Sequence, residues 1–509
     1  MAGFALTGID PNDPRPGQAI EIRLATGQGS GAVGTRKIAM LAQKTSDGSE
    51  TENAIDTLIA DETDAVARFG IKSEMLSMYR KYVEIDPTAE IYGIAIPAHG
   101  SGTASTVDFV FANAATGATT LVIEWAGQTT EVSVASGDAT TTIAAAAEAA
   151  GDDMFEWPIS FSVASSTVTA TVVSPIGPRG DFTLAGLRMY FKKNVATTVT
   201  KGSVSSGTND DDHTTALSVL ATRNLYYQIS SKSLTGTASS TDNGIGEHAA
   251  QITALALPAV GIRQELHFAY VGQASNITSY ATSVNNPRVK MHWAQGTSWT
   301  PAMVAAHCAA VAHFKRLSVV AARLTDYGLS ARGVQEIFSI PKPWLSSDLP
   351  TDSEIRSALN NGATVINWTP TGQGYIVREI TTRSLNGTAN DYRARSGHIV
   401  PALDFAADYI SERVSQVAQD FVADDLAEGI LPVENTTTPL SVKGVVLAAI
   451  DDLVAFAGGP VLDPSVLDAM KNSVEVRRLT NGTSIKMRLE AAKHNDKTQY
   501  LILETSPGV

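Results

Sequence analysis

The sequence predicts a multidomain α/β protein: a mainly parallel α/β domain, a small β-rich domain inserted into it, and a strand-bearing arm at each end. Three observations point there. Helical periodicity alternates with short apolar runs over 36–97 and again over 214–324, which argues for parallel strands covered on both faces. Between them, 98–184 is rich in Val and Thr, sparse in charge and punctuated by Gly and Ser, the texture of a separate β unit. Each end carries one lone strand on a Gly/Pro-rich or polar tether. The boundaries read as an arm over 1–30, the first part of the α/β domain over 31–97, the insertion over 98–184, the α/β domain continued over 185–335, a C-terminal core domain over 336–494 and an arm over 495–509.

Residues 1–30 hold Pro11, Pro14, Pro16 and five glycines around one β-like piece, Ala19, Ile20, Glu21, Ile22, Arg23 and Leu24. They read as an extended arm or as a disordered tail. Arg36–Gln43 is a buried strand, Glu62–Phe69 and Ser73–Glu84 are helices, and Ile91–Ile96 is a strand. Inside the insertion, Thr106–Phe111, Leu121–Trp125, Thr130–Val134, Ile159–Val163 and Thr167–Val173 alternate as strands, with one Ala-rich helix at Ala139–Ala150. The α/β pattern resumes with a helix at Thr214–Ala221, then strands at Leu225–Ile229, Leu266–Val271 and Val289–Trp293 separated by helices at His248–Leu257 and Ser275–Val284. Thr300 caps a long helix with Pro301 at its first position, running to about Leu324.

The most structured signal lies in 338–384. Thr351 and Glu354 form a capping box, Pro350 keeps the chain extended before it, and Gly362 sits where a left-handed C′ residue is wanted. Strands follow at Thr364–Trp368 and Tyr375–Thr382. Beyond this, Ala402–Leu426 is a helix with Leu403, Ala407, Ile410, Val414, Val417 and Phe421 on one stripe. That stripe fits a helix packed on its own domain's sheet, or a short coiled coil. A helix at Ser441–Phe456, a hairpin of Val474–Leu479 and Ser484–Leu489 about an Asn481-Gly482 turn, and a last strand at Gln499–Glu504 complete the chain.

The charge balance, 38 Lys+Arg against 52 Asp+Glu for a net −14, lacks the basic field of a nucleic-acid binder. Cys308 is the sole cysteine, so no intramolecular disulfide or cysteine-based zinc site forms. The sequence has no run of eighteen apolar residues, and MAGFALTGID lacks a signal peptide's basic and apolar regions. A cytoplasmic origin is therefore expected. Gly29 to Gly34 fits GxGxxG but precedes a strand, where the dinucleotide fingerprint must follow one. Asp210, Asp211, Asp212 and His213 read as a solvated loop before a helix, the alternative being a hard-cation site without a calcium loop's spacing. His307 and His313 read as core or surface histidines. No catalytic motif, cofactor site or metal site emerges.

Pro341, Pro343, Trp344, Asp348, Pro350, Thr351, Asp352, Glu354 and Ile355, a Gly-Ala strand start and an Arg-x-Ile-Thr-Thr strand together resemble the core of Mu-like contractile-tail sheath proteins. The Ala-rich helix followed by Gly177-Pro178-Arg179-Gly180-Asp181-Phe182 resembles the insertion of those sheaths. The resemblance implies a structural, non-enzymatic subunit without cofactors. It would assemble in the host cytoplasm and reside in the virion tail as a homo-oligomer, a helical array or stacked rings. Tube, baseplate and tail terminator proteins are the implied partners, with no nucleic acid bound and no direct membrane insertion. A related injection or secretion machine is the alternative, and an α/β enzyme with a β-rich accessory domain a further one.

The ends sharpen this expectation. A two-stranded hairpin leaves two open edges, and strands without local partners can add to a neighbouring copy. Ala19 to Leu24 and the apolar Tyr500, Leu501, Ile502 and Leu503 are therefore expected to exchange between subunits, with Val474, Val476, Ile485, Met487 and Leu489 marking the receiving hairpin. The resemblance implies that the C-terminal half faces the tube. Asp424 and Asp425, acidic at a helix C-terminus where a cation is wanted, are the candidate tube contact.

Overall fold

The computed structural model describes residues 37–55, 57–223, 225–234, 245–257, 262–317, 337–387, 389–391, 394–417, 421–422, 436–455, 461–479 and 482–490. The protein is a mixed α/β chain. It opens with β1 (Ile38–Gln43), α1 (Glu62–Phe69), α2 (Glu74–Val83) and β2 (Ile91–Ile96). Both helices start on side-chain caps, Asp61 accepting from the Asp64 N–H and Ser73 from the Leu76 N–H. β1 and β2 pair in parallel.

Seven strands then form a β-rich unit: β3 (Thr106–Ala112), β4 (Thr119–Trp125), β5 (Gln128–Val134), β6 (Ile159–Ala164), β7 (Thr167–Val172), β8 (Leu187–Phe191) and β9 (Thr198–Lys201). One sheet runs β6-β7-β3-β9 and the other β5-β4-β8, every pair antiparallel. Along β3 the side chains alternate, and Val107, Phe109 and Phe111 turn inward. The helix α3 (Thr140–Asp152) lies against strands of both sheets and places Ile143, Ala144 and Ala147 in their shared core. A short helix α4 (Gly180–Ala185) follows β7. β8 and β9 lie beyond the expected boundary at 184, yet their partners are β4 and β3. A strand's propensity does not show which sheet it joins.

The chain then returns through α5 (Thr214–Leu220), β10 (Tyr227–Ser230), α6 (Ile245–Leu255), β11 (Glu265–Tyr270), α7 (Ala274–Val284), β12 (Val289–Trp293), α8 (Pro301–Leu317), β13 (Ile337–Phe338), α9 (Asp352–Asn360), β14 (Ala363–Trp368) and β15 (Gly374–Arg378). The main sheet has the order β13-β15-β14-β12-β11-β10-β1-β2. From β14 to β2 all neighbours are parallel, whereas β15 is antiparallel to β14 and β13. Both faces are buried. Ile38, Met40 and Ala42 of β1 share a core with α2 and α8, while Ala39 and Leu41 meet α5. The expected boundary at 336 cuts this sheet, because β14 pairs in parallel with β12.

In 338–384 the capped helix and the first strand form as read, whereas the second strand, expected over Tyr375–Thr382, ends at Arg378, and beyond it Ile380 makes an isolated bridge to Ser396. Thr351 Oγ1 accepts from the Glu354 N–H at 3.3 Å and Glu354 accepts from the Thr351 N–H at 2.7 Å. Ile355 and Ala358 pack with α7 residues in one cluster. Gly362 has φ +95°, and a Cβ there would lie 2.7 Å from the Thr382 carbonyl oxygen, so both conformation and space demand glycine.

After a small pair of strands, β16 (Leu385–Asn386) and β17 (Ala389–Asn390), the helix α10 (Ile399–Val417) begins a second core. Its Leu403, Ile410 and Val414 pack against Val442, Val446, Ile450 and Leu453 of α11 (Pro439–Val454), not against the main sheet. The expected helix to Leu426 overruns: β18 (Phe421–Val422) pairs in parallel with β19 (Thr436–Thr437), so Phe421 leaves the helical stripe. A helix α12 (Leu467–Asn472) precedes the hairpin of β20 (Glu475–Leu479) and β21 (Gly482–Lys486). Leu479 pairs with Gly482, so Gly482, expected in the turn, belongs to the second strand, and Asn481 lies outside the described residues.

Candidate functional site

Two arrangements stand out: an edge-bearing hairpin and a polar crevice in the main sheet. Val474 and Leu489 are buried, and Val476, Ile485 and Met487 are half-buried against the same cluster of α10, α11 and α12 residues. These residues, expected to mark a receiving hairpin, anchor the hairpin to its own subunit. What they leave open is backbone, since β20 and β21 form a sheet of two strands among the described residues. Beside the hairpin, Ala469, Met470, Asn472, Ser473, Arg488 and Glu490 line a hollow of about 240 Å³. The expected exchange strands Ala19–Leu24 and Tyr500–Leu503, the candidate tube contacts Asp424 and Asp425, and the Gly29–Gly34 segment lie outside the described residues.

The crevice lies past the carboxyl ends of β1 and β10. Arg179, 2% exposed, fills it. Its Nε donates to Asp210 Oδ1 at 2.9 Å, its Nη1 to Glu74 Oε1 at 2.7 Å, to the Ser231 carbonyl at 3.0 Å and to Ser231 Oγ at 2.7 Å, and its Nη2 to Asp211 Oδ2 at 2.5 Å. Lys232 Nζ adds contacts to Asp210 Oδ2 and Asp211 Oδ1, each at 3.0 Å. Gln43 braces the wall, giving its side-chain N–H groups to the Ile176 carbonyl and to Asp211 and accepting the Ile176 N–H. Burial pushes the Glu74 carboxyl up to about 7, with Arg179 pulling the other way. Asp211 is held well below the usual carboxylate range, chiefly by Arg179, against the opposing effect of burial.

The solvated-loop reading of 210–213 is thus corrected. Asp211 and His213 are buried, and His213 Nδ1 lies 3.1 Å from His248 Nε2. Of the four residues, Asp212 is the exposed one, accepting from the Thr214 N–H at 2.8 Å. Sequence reasoning missed Glu74, Arg179, Asp211 and Lys232 as one group. The available hint was an arginine in a stretch otherwise poor in charge, followed by an acidic triplet.

A second buried polar seam runs under α8. Lys290 meets Glu265 at 2.7 Å and also Glu379, while His267 Nε2 lies 2.7 Å from Glu265 and its ring stacks on His292 at 5.3 Å. Lys290, Glu265, Glu379, His267 and His292 are each at most 1% exposed. One ammonium thus bridges two buried carboxylates, tying β12 to β11 and to the chain just after β15. His313 joins Tyr82 Oη at 2.8 Å and Asp86 at 3.0 Å. Among the described residues, no helix is long and apolar enough to cross a membrane, and no group of three or more His, Cys, Asp or Glu is placed to hold a metal.

No family model and no curated protein sequence matches this chain. Solved structures that it resembles include sheath tail proteins and a baseplate. A sheath tail protein from Desulfitobacterium hafniense aligns with a TM-score of 0.45 and 12% identity over 94% of this chain and 98% of its own. One from Listeria innocua aligns with a TM-score of 0.46 and 11% identity, covering 92% and 94%. A chain of the anti-feeding prophage baseplate aligns with a TM-score of 0.42 and 12% identity, covering 97% and 99%. Identities of 11–12% with TM-scores below 0.5 assign no role to individual residues.

Proposed function

We propose that this chain is the structural subunit of a contractile tail sheath, polymerising helically around a tail tube and contracting to drive the tube through a host envelope. The single observation that carries the reading is the β20–β21 hairpin. One face is anchored on the subunit's own helices, the sheet has two strands among the described residues, and the apolar segment Tyr500-Leu501-Ile502-Leu503 follows on a polar link. Such a hairpin accepts a strand by main-chain hydrogen bonding. An arm passed from each copy to the next is a heterologous contact, which builds an open helix or stacked rings and not a closed dimer.

In this reading Gln499–Glu504 adds to a neighbour's hairpin, and Ala19–Leu24 does likewise from a second neighbour, so the mesh stays linked while subunits rotate. The parallel α/β domain is the sheath core and the β-rich unit an outward insertion. Asp424 and Asp425 meet basic groups on the tube. Baseplate and terminator proteins cap the array, which forms in the host cytoplasm and resides in the virion tail. The order of features across 338–384 supports the sheath reading, a sheath of a related injection machine included. The α/β enzyme reading needs an open cleft with converging polar groups. Such groups converge past β1 and β10, but on Arg179. Electron microscopy of the purified protein tests the proposal: long helical tubes are expected, and uniformly compact particles under all assembly conditions contradict it.

A further inference from the structure

The order of the main sheet contains a reversal. From β1 the chain passes by α1 and α2 to β2 on one side. After the β-rich unit it returns by α5 to β10 on the other side. The first connection covers the sheet face carrying Ile38 and Met40, the second the face carrying Ala39 and Leu41. Where connections part to opposite faces of an open parallel sheet, a crevice opens outside the carboxyl ends of the two strands, and ligands bind there. In this chain that position lies past Gln43 and Ser230.

The groups converging on it have one chemistry. Glu74 opens α2, Asp210 and Asp211 precede α5, and Ser231 follows β10, so four acceptor residues from three elements surround one point. They take N–H donors from Nε, Nη1 and Nη2 of a single planar group, the fork geometry that a guanidinium satisfies and an ammonium does not. Three carboxylates face two cations, Arg179 and Lys232. Without the guanidinium, one lysine would face three buried or half-buried carboxylates, a strongly cation-seeking pocket.

We infer that the crevice is a guanidinium-binding site whose ligand is the chain's own Arg179, delivered by the segment that leads out of β7. The occupied site ties that segment to the sheet: Ile176, three residues before Arg179, exchanges hydrogen bonds with Gln43 in both directions. The β-rich unit is thereby held on the sheet by a ligand contact and not by covalent connection alone. The inference does not depend on the sheath reading.

The test is chemical rescue in the full chain. Arg179→Ala leaves the acceptors and removes the ligand, so its thermal midpoint falls by several degrees. Millimolar ethylguanidinium raises that midpoint saturably, while ethylammonium at equal ionic strength does not, and the parent protein responds to neither. Asp211→Asn is also destabilised but gains nothing from ethylguanidinium, because its site remains occupied. Equal recovery with ethylammonium, an equal response of the parent, or an Arg179→Ala midpoint matching the parent would each overturn the inference. If Arg179→Ala does not fold unaided, refolding yields make the same comparison. Recovery with ethylguanidinium alone supports the site, and no recovery with either compound overturns it.

Discussion

Arg288 grips the carboxylate of Asp404 with both terminal nitrogens, Nη1 to Oδ2 at 2.7 Å and Nη2 to Oδ1 at 2.6 Å, joining the residue that leads into β12 to α10. Tyr226 Oη donates to the same carboxylate at 2.8 Å, and Arg263 pairs with Asp408 one turn further along α10. The side chain of Asp404 is fully buried. This cluster is the polar bond between the main sheet and the helical second core. Removing Arg288 leaves the buried Asp404 carboxylate to Tyr226 and to the more distant Arg263 Nε at 3.9 Å, at a cost of up to about 3–5 kcal/mol. Arg288→Met is therefore expected to lower the urea midpoint sharply, and Asp404→Asn by less. An Arg288→Met midpoint within error of the parent would show that apolar packing alone holds the two cores together.

The Thr351–Gly362 helix offers a graded test. Thr351→Ala removes the cap and is expected to lose about 1 kcal/mol. Gly362→Ala places a methyl group against the Thr382 backbone at positive φ and is expected to lose more, on the order of 1–3 kcal/mol. Equilibrium denaturation of the two variants measures the order. Gly362→Ala proving the milder change would contradict the geometry.

This helix also shows what a sequence can disclose. Its cap, its apolar face and its terminating glycine lie within twelve residues, so local rules suffice. β1, β2, β11 and β12 were legible for the same reason, each a short apolar run bounded by polar residues. The pairing of β8 with β4 was not, because nothing local in Leu187–Phe191 names its partner. The Arg179 crevice was less legible still. Its partners Glu74, Ser231 and Asp211 stand 105, 52 and 32 positions away, and only the sheet reversal brings them together. The apolar stripe of α10 is legible in its spacing, but periodicity shows that a face is buried and not what buries it.

Acidification should loosen the fold. Burial pushes His307 down to about 4, opposed by Glu84, and burial also lowers His213 and His248. Each binds fewer protons folded than unfolded, so its contribution is lost as pH falls from 6.5 toward the folded value. Glu74 acts in the opposite sense. Its folded value of about 7 exceeds the ordinary 4.5, so acidification within that window favours folding. Three histidines outweigh one carboxyl, and stability is expected to fall between pH 6.5 and pH 4. Replacing His307 by Gln should flatten that fall by on the order of 3 kcal/mol. Urea midpoints across the range check this, and a variant curve parallel to the parent's would count against the buried-imidazole account.

The strand pairing sets where the β-rich unit can be cut. Replacing 98–184 by a short Gly/Ser linker removes β3 and β4 and leaves β8 and β9 without partners. That protein is expected to aggregate through its exposed strand edges. Replacing 98–208 removes the whole pairing set, and the product is expected to stay soluble and to assemble, at a lower melting midpoint because Arg179 leaves with it. Soluble yield and electron microscopy compare the two. A 98–184 deletion as soluble as the longer one would refute the boundary.

Passage of a strand between subunits is tested by truncation after Lys497. The truncated chain lacks Tyr500-Leu501-Ile502-Leu503 but keeps the hairpin and the core it packs on. Sedimentation, circular dichroism and electron microscopy of parent and truncated protein under the same assembly conditions give the answer. The predicted result is tubes from the parent and a folded, soluble monomer from the truncation. Tubes from the truncated protein, or its outright unfolding, would contradict the claim.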